Sequence, residues 1–418
     1  MIRSKLLAAL SVASVLAGLV LAPAAQAAPG PPDAPEWWFD TWHVPSMWAG
    51  GADGHGITVA VVDTGVQGNI PELQGKVVAG ADFIGNGTDG RTDFDLDEFS
   101  HGTAMASIIA ARQGSFGIEG LAPAAKILPI AVPLKGVIRN GTPKPDSTSE
   151  AIKYAVDHGA RIISMSLGGV RVEGEDDLPC PQKLQDAVIY ALNKGSLVIA
   201  ASGNSGETGS PVEEPGVCLG AVSVGSVGSG LVLSSFSSRH PYLTLAAPGD
   251  KIPTLNRNPG RAFLGGGTSQ ATAMTSAAIA LVWSKFPNDT NRRVLSRILK
   301  SVTDRGPAGR DNEFGFGVIN PYAALTAKVT DTTPNAVFDG AQPLIKLATL
   351  KAKKPPTKAA AGSASAPIGQ VTVGKNATVL GIGFLILVAA AALLTLLAIG
   401  LVASGLRRRP VPLAPQLF

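Results

Sequence analysis

Residues 265–286 read GGGTSQATAMTSAAIALVWSKF: a glycine run, one serine, then a helical stretch that is apolar almost all round. A helix without a polar face has to be enclosed by other structure, so the fold must be built around this segment. Elsewhere strand-like and helical stretches alternate. The strand-like runs are 57–62, 126–132, 162–166, 197–202, 221–227 and one around 243–246; helical stretches are 147–158, 183–194 and 290–301. Continuously apolar, β-branched strands belong to parallel sheets covered on both faces, and the alternation supplies the covering helices. The expected fold class is α/β, with a central, mostly parallel sheet.

The two ends carry different signals. Arg3 and Lys5 precede an apolar run, 6–21, and Ala25-Gln26-Ala27 stands before Ala28, the pattern of a secretory signal peptide cleaved after Ala27. Residues 376–406 are uncharged, exceed the roughly 20 residues that cross a bilayer, and lead directly into Arg407, Arg408 and Arg409. Positive charge stays on the cytoplasmic side, so this is one C-terminal transmembrane helix with the tail 407–418 inside and the bulk of the chain outside. Residues 327–375 are rich in Lys, Pro and Ala, the composition of a linker. Residues 28–56 form an N-terminal arm with Trp37, Trp38, Trp42 and Trp48. Four indoles in so short a span call for burial against the body, and a short helix is expected at 44–48. The body itself is expected over 57–326.

The net charge of +4 misleads. Eleven of the 35 basic residues, and none of the 31 acidic ones, lie outside 28–345, which leaves that part at −7. A nucleic-acid partner is thereby excluded on charge. The only cysteines, Cys180 and Cys218, are expected as a disulfide in an exported chain, with two free thiols as the alternative. They stand too far apart, with no neighbouring His, for a zinc site.

Ser269 follows the glycine run and opens the enclosed helix. Taken alone it is an N-cap serine; unpaired N–H groups at that helix end also suit an oxyanion beside a nucleophile. Asp63 ends the strand 57–62, where open α/β sheets place function. The loop 88–98, TDGRTDFDLDE, reads as solvated surface; its oxygens could also hold Ca²⁺, although the spacing fits no EF-hand. No other cofactor is implied. His101 heads a small-residue helix just after it. The other histidines, His43, His55, His158 and His240, sit in loop or helix-end contexts and read as structural. Asn204 lies in a glycine-flanked turn, a turn residue or a side-chain oxyanion donor, and Ser166-Leu167-Gly168 leaves a strand end. The chain order decides among serine hydrolases. An α/β-hydrolase needs its His after the Ser, but the last His is His240, and a chymotrypsin-like enzyme is all-β. Asp63, His101, Ser269 is the order that remains.

The strings VAVVDTGV, HGTAMA, SMSLGG, ASGNSG, SSFSS, AAPG and GTSQA, in that order over 57–321, resemble the signature blocks of the subtilases, the subtilisin-like serine proteases. The resemblance implies a subtilisin-like three-layer fold and a serine endopeptidase. Ser269 is then the nucleophile, His101 the general base and acid, and Asp63 the group that orients His101. Asn204 with the Ser269 N–H holds the oxyanion, and Ser166, Leu167 and Gly168 pair with an extended peptide substrate. One position departs: the family has Pro where this chain has Ala273, a better helix former. The layout of signal, Trp-rich arm, protease domain, linker, one span and basic tail resembles the mycosins, membrane-anchored subtilases associated with type VII secretion. A secretion membrane complex is then an expected partner, with the catalytic domain extracellular at the cell membrane. Two other readings stay open: a structural subunit of that complex whose catalysis is dispensable, and a general cell-surface degradative subtilase.

Overall fold

The computed structural model describes residues 36–353, apart from 115, 135–136, 138–139, 141, 171–179 and 260–261. The chain divides into two units, 1–354 and 355–418. The second lies outside the described residues, as do the expected signal peptide 1–27 and span 376–406. No helix among the described residues is long and apolar enough to cross a membrane.

Eleven strands and nine α-helices are described in the first unit. The strands are β1 (Thr58–Asp63), β2 (Ala81–Asp82), β3 (Lys126–Ala131), β4 (Ile162–Met165), β5 (Gly169–Val170), β6 (Leu197–Ala201), β7 (Glu213–Glu214), β8 (Val222–Val227), β9 (Leu245–Pro248), β10 (Ile252–Leu255) and β11 (Ala262–Gly265). The helices are α1 (Trp38–Thr41), α2 (Val44–Ala49), α3 (His101–Ala110), α4 (Ser147–Asp157), α5 (Gln182–Asn193), α6 (Thr268–Lys285), α7 (Asn291–Lys300), α8 (Pro321–Ala324) and α9 (Ala336–Lys353). Seven strands form one sheet in the order β2-β3-β1-β4-β6-β8-β9, every pair parallel.

Alternation along β1 shows how the sheet divides the core. Val59 and Val61 join the cluster built with α3 and α6, whereas Ala60 and Val62 join the one built with α4 and α5. Successive strand residues face opposite ways, so one apolar run serves two helical layers. The expected three-layer α/β arrangement is present. Helix α6 is buried along nearly its whole length, and Ala273 is fully buried within its unbroken run. Strand β1 lies between β3 and β4, so the chain leaves it first to one side and later to the other. Its C-terminal end is therefore a topological switch point.

The arm packs on the body as its indoles require. Trp38 and Trp42 are each 2% exposed, and Trp48 is buried with its Nε1–H donating to the Leu121 carbonyl at 3.0 Å. One boundary needs correction: the stretch 327–375 is not linker throughout. Residues 336–353 form α9, and Val337, Phe338 and Ala341 are buried against the body. Those few apolar residues sit among lysines and alanines, so composition alone masked a helix with one buried side.

Candidate active site

Asp63 ends β1 with its side chain fully buried. One oxygen, Oδ1, accepts the Thr64 N–H at 2.8 Å and faces His101 Nδ1 at 2.8 Å. Nδ1–H therefore donates to the carboxylate, and Nε2 is left as the unprotonated nitrogen of the neutral ring. His101 is the first residue of α3, and its side chain keeps 27% of its surface exposed. Burial pushes its pKa down, but the charge and hydrogen bond of Asp63, joined by the charges of Asp95 and Asp93, outweigh burial. The pKa is pushed up to about 9.

The loop before α3 is solvated only in part: Arg91, Thr92, Leu96, Asp97 and Glu98 are exposed, but two of its carboxylates are not. Asp93 and Asp95 are 5% and 8% exposed because they satisfy the start of the helix. Asp95 Oδ2 accepts the His101 N–H at 2.8 Å. Asp93 Oδ2 accepts the Thr103 N–H at 2.9 Å and the Thr103 hydroxyl at 2.5 Å. Thr64 ties this cap to the strand end, donating its hydroxyl to Asp93 Oδ1 at 2.8 Å and accepting the Gly102 N–H at 3.0 Å. Carboxylates at a helix N-terminus also meet its partial positive charge. Burial pushes the Asp93 carboxyl up, against the hydrogen bonds from Thr103, Asp95 and Thr64 that pull it down. No group of three or more His, Cys, Asp or Glu that could hold a metal occurs among the described residues.

Ser269 is the second residue of α6 and half-buried. Its hydroxyl donates to the Ser166 carbonyl at 3.0 Å, and the Ser166 hydroxyl donates to the Ser269 carbonyl at 2.9 Å. The serine thus contacts the strand end after β4, while Asp63 and His101 form their own pair. Asn204, just past β6, is held in one orientation. Its Oδ1 accepts the Thr268 N–H at 2.8 Å and the Thr268 hydroxyl at 2.9 Å. With the amide oxygen fixed in this way, Nδ2 is the free end, beside Gly267 and the start of α6. A fixed N–H donor next to a helix-opening serine is the arrangement that stabilises a developing oxyanion.

Leu167 and Gly168 continue beyond Ser166, and the next residues pair antiparallel with β7, Gly169 with Glu214 and Val170 with Glu213. Cys180 and Cys218 are bonded in the structure, with Cα atoms 5.0 Å apart, and join the start of α5 to the turn before β8. His43, His55, His158 and His240 lie apart from this cluster. His240 is 3% exposed and stacks on Tyr242 with ring centroids 4.4 Å apart. Sequence reasoning missed Thr268, Thr64 and the capping role of Asp93 and Asp95. Alternating Asp residues directly before a helix were the available signal for the last two; Thr268 offered none.

Residues 54–317 match the model of the subtilase family. Minor extracellular protease Epr of Bacillus subtilis is 31% identical over 319 residues, which cover 76% of this chain and 46% of that protein. Mycosin-1 of Mycolicibacterium smegmatis is 32% identical over 335 residues, covering 69% and 72%. The solved structure of the MycP3 protease from the type VII (ESX-3) secretion system superposes with a TM-score of 0.59 at 31% identity, covering 72% of this chain and 89% of that one. The chain spans less than two thirds of the length of Epr and of the thermophilic serine proteinase of Bacillus sp. AK1.

Proposed function

The chain belongs to the subtilase family, and on that premise we propose that it is a membrane-anchored serine endopeptidase using Asp63, His101 and Ser269, a mycosin serving a type VII secretion system. That it is a subtilisin-like serine protease related to the mycosins follows from its relatives. The observation that carries the residue assignment is the His101 Nδ1 contact with a fully buried Asp63 at the switch point of the sheet.

In this reading an extended substrate lies along Ser166–Gly168 as an added strand. Its backbone N–H takes the Ser166 carbonyl, which now holds the Ser269 hydroxyl. Substrate binding thereby frees Oγ to turn toward His101. Oγ attacks the scissile carbonyl carbon, its proton passes to His101 Nε2, and Asn204 Nδ2 with the Ser269 N–H receives the oxyanion. Collapse breaks the C–N bond, and the amine leaves with the proton from His101. Water then releases the acyl group by the same steps. The buried Asp63 holds the ring in its tautomer and favours its charged form.

Membrane anchoring rests on residues 376–406 and the three arginines that follow. The secretion role rests on the likeness to Mycosin-1 and MycP3. Full-length protein should hydrolyse labelled casein and sediment with membranes after a high-salt wash. Ser269→Ala should lose only the first property, and a chain ending at residue 353 only the second. Casein hydrolysis that survives Ser269→Ala would refute the assignment. Loss of type VII export in cells carrying only Ser269→Ala would tie catalysis to secretion; full export would favour the scaffold role.

A further inference from the structure

Helix α9 closes on the body with one side and leaves the other bare. Val337, Phe338 and Ala341 are buried, and Leu344, Ile345 and Ala348 pack on the same core. At 3.6 residues per turn those six positions share one side of the helix. Leu350 falls opposite them and Leu347 close by, and these two are 66% and 49% exposed. Lys346 is exposed on the same outward side, and Lys351, Lys353 and Lys354 follow in the sequence. A lone exposed leucine needs no partner. Two on one side of a helix, bordered by lysine, form an amphipathic face of their own.

The charge of the chain changes sign along this helix. Asp339 is the last acidic residue of the sequence, and its carboxylate is paired with Arg292 at 2.9 Å. Beyond it come Lys346, Lys351, Lys353, Lys354 and Lys358 with no acid among them, whereas 28–345 carries −7. An anionic surface therefore repels the body and attracts the end of α9. In the reading above, the same end is the one tied to the bilayer. Residues 355–375 join it to the uncharged run 376–406, and fully extended they reach no more than about 70 Å. A helix end on so short a tether meets the lipid surface at high effective concentration.

Resting on the membrane-anchored reading above, we propose that the outward side of α9, centred on Leu347 and Leu350, lies on the bilayer surface. It binds anionic lipid headgroups through Lys346 and the lysines that follow. The leucines enter the boundary between headgroups and acyl chains, and the lysine stems lie along it with their ammonium groups among the phosphates. The opposite side of the helix stays on the body, so α9 is a second attachment beside the span.

The test uses full-length Leu350→Cys protein, labelled on the introduced thiol with a polarity-sensitive dye and inserted in vesicles. The native cysteines are bonded to each other and do not compete for the dye. The vesicles are phosphatidylcholine alone or an equal mixture with phosphatidylglycerol, and flotation after a high-salt wash first reports whether the chain is inserted. The dye should take on a water-free emission in the mixed vesicles and return to the aqueous one in phosphatidylcholine or in high salt. At Val232→Cys, an equally exposed site off the helix, it should stay aqueous throughout. Lys346→Gln should lower the ratio of docked to free protein by roughly 5-fold, and Leu347→Ser should lower it too. Floating protein whose dye stays aqueous in both vesicles overturns the inference, as does an equal shift in both. A shift that rises with protein density at fixed lipid composition assigns the face to a second copy instead, and overturns it as well. Protein that fails to float removes the anchored reading, and this contact with it.

Discussion

Replacing Thr268 by Val keeps the shape of the side chain and removes one hydroxyl. That hydroxyl donates to Asn204 Oδ1 at 2.9 Å and accepts the Gly203 N–H at 3.2 Å, in a residue with no exposed surface. Two effects follow. The Gly203 N–H is left buried without an acceptor, which costs about 1–3 kcal/mol of stability. Asn204 keeps only the Thr268 N–H, at 2.8 Å, to hold its amide in place. Outright loss of the oxyanion asparagine in subtilisin costs roughly 10²–10³ in rate, so a loosened one should cost less. One neutral hydrogen bond of about 0.5–1.5 kcal/mol converts to a fall of roughly 2- to 12-fold in kcat. KM should hardly move, because the donor acts on charge that exists only in the transition state. Initial rates on a fluorogenic peptide, beside a thermal melt, separate the two effects. Thr268→Ser should restore kcat, and Thr268→Val placed in an Asn204→Ala background should lower it no further. An unchanged kcat in Thr268→Val, or an additive loss in the double variant, would refute the idea that Thr268 works through Asn204.

Three further outcomes are expected. His101 must be neutral to accept a proton, and with its pKa near 9, kcat/KM should climb with pH toward that value. Asp95→Asn removes a negative charge but keeps an oxygen for the helix cap, so the rising limb should move to lower pH in a pH–rate profile. Glu36 in the arm is buried near Glu119, and burial above all pushes its pKa up to about 9 from 4.5. The folded state then holds a proton that the unfolded chain has lost. Stability from this group falls by about 1.4 kcal/mol per pH unit between 4.5 and 9, and Glu36→Gln should flatten that slope in melts at pH 6 and 8.5. The Cys180–Cys218 bond closes a separation of 38 residues; the loop-entropy relation gives about 4 kcal/mol, and Cys180→Ala/Cys218→Ala should lower the melting temperature accordingly.

How much of this was legible before the structure depends on the kind of residue. Strands such as 57–62 declared themselves because a parallel strand buried on both faces has to be apolar throughout. Helix α6 did so because no polar face was left to solvate. The positions of Asp63, His101, Asn204 and Ser269 followed from chain order and from strings that resemble a known family. What escaped was set by partners distant in sequence. Thr268 matters because Asn204, 64 residues earlier, folds against it. Asp93 and Asp95 look solvated until α3 presents its free N–H groups to them. Helix α9 was lost to composition because one narrow apolar side suffices to dock it.

The central claim is that Ser269 is a nucleophile activated by His101 on Asp63. A fluorophosphonate adduct located by mass spectrometry on full-length protein addresses it directly. The adduct is expected on the peptide containing Ser269 in the wild type, and on no serine in folded His101→Ala or Ser269→Ala protein. An adduct on a different serine, or equal labelling of Ser269 without His101, would contradict the claim.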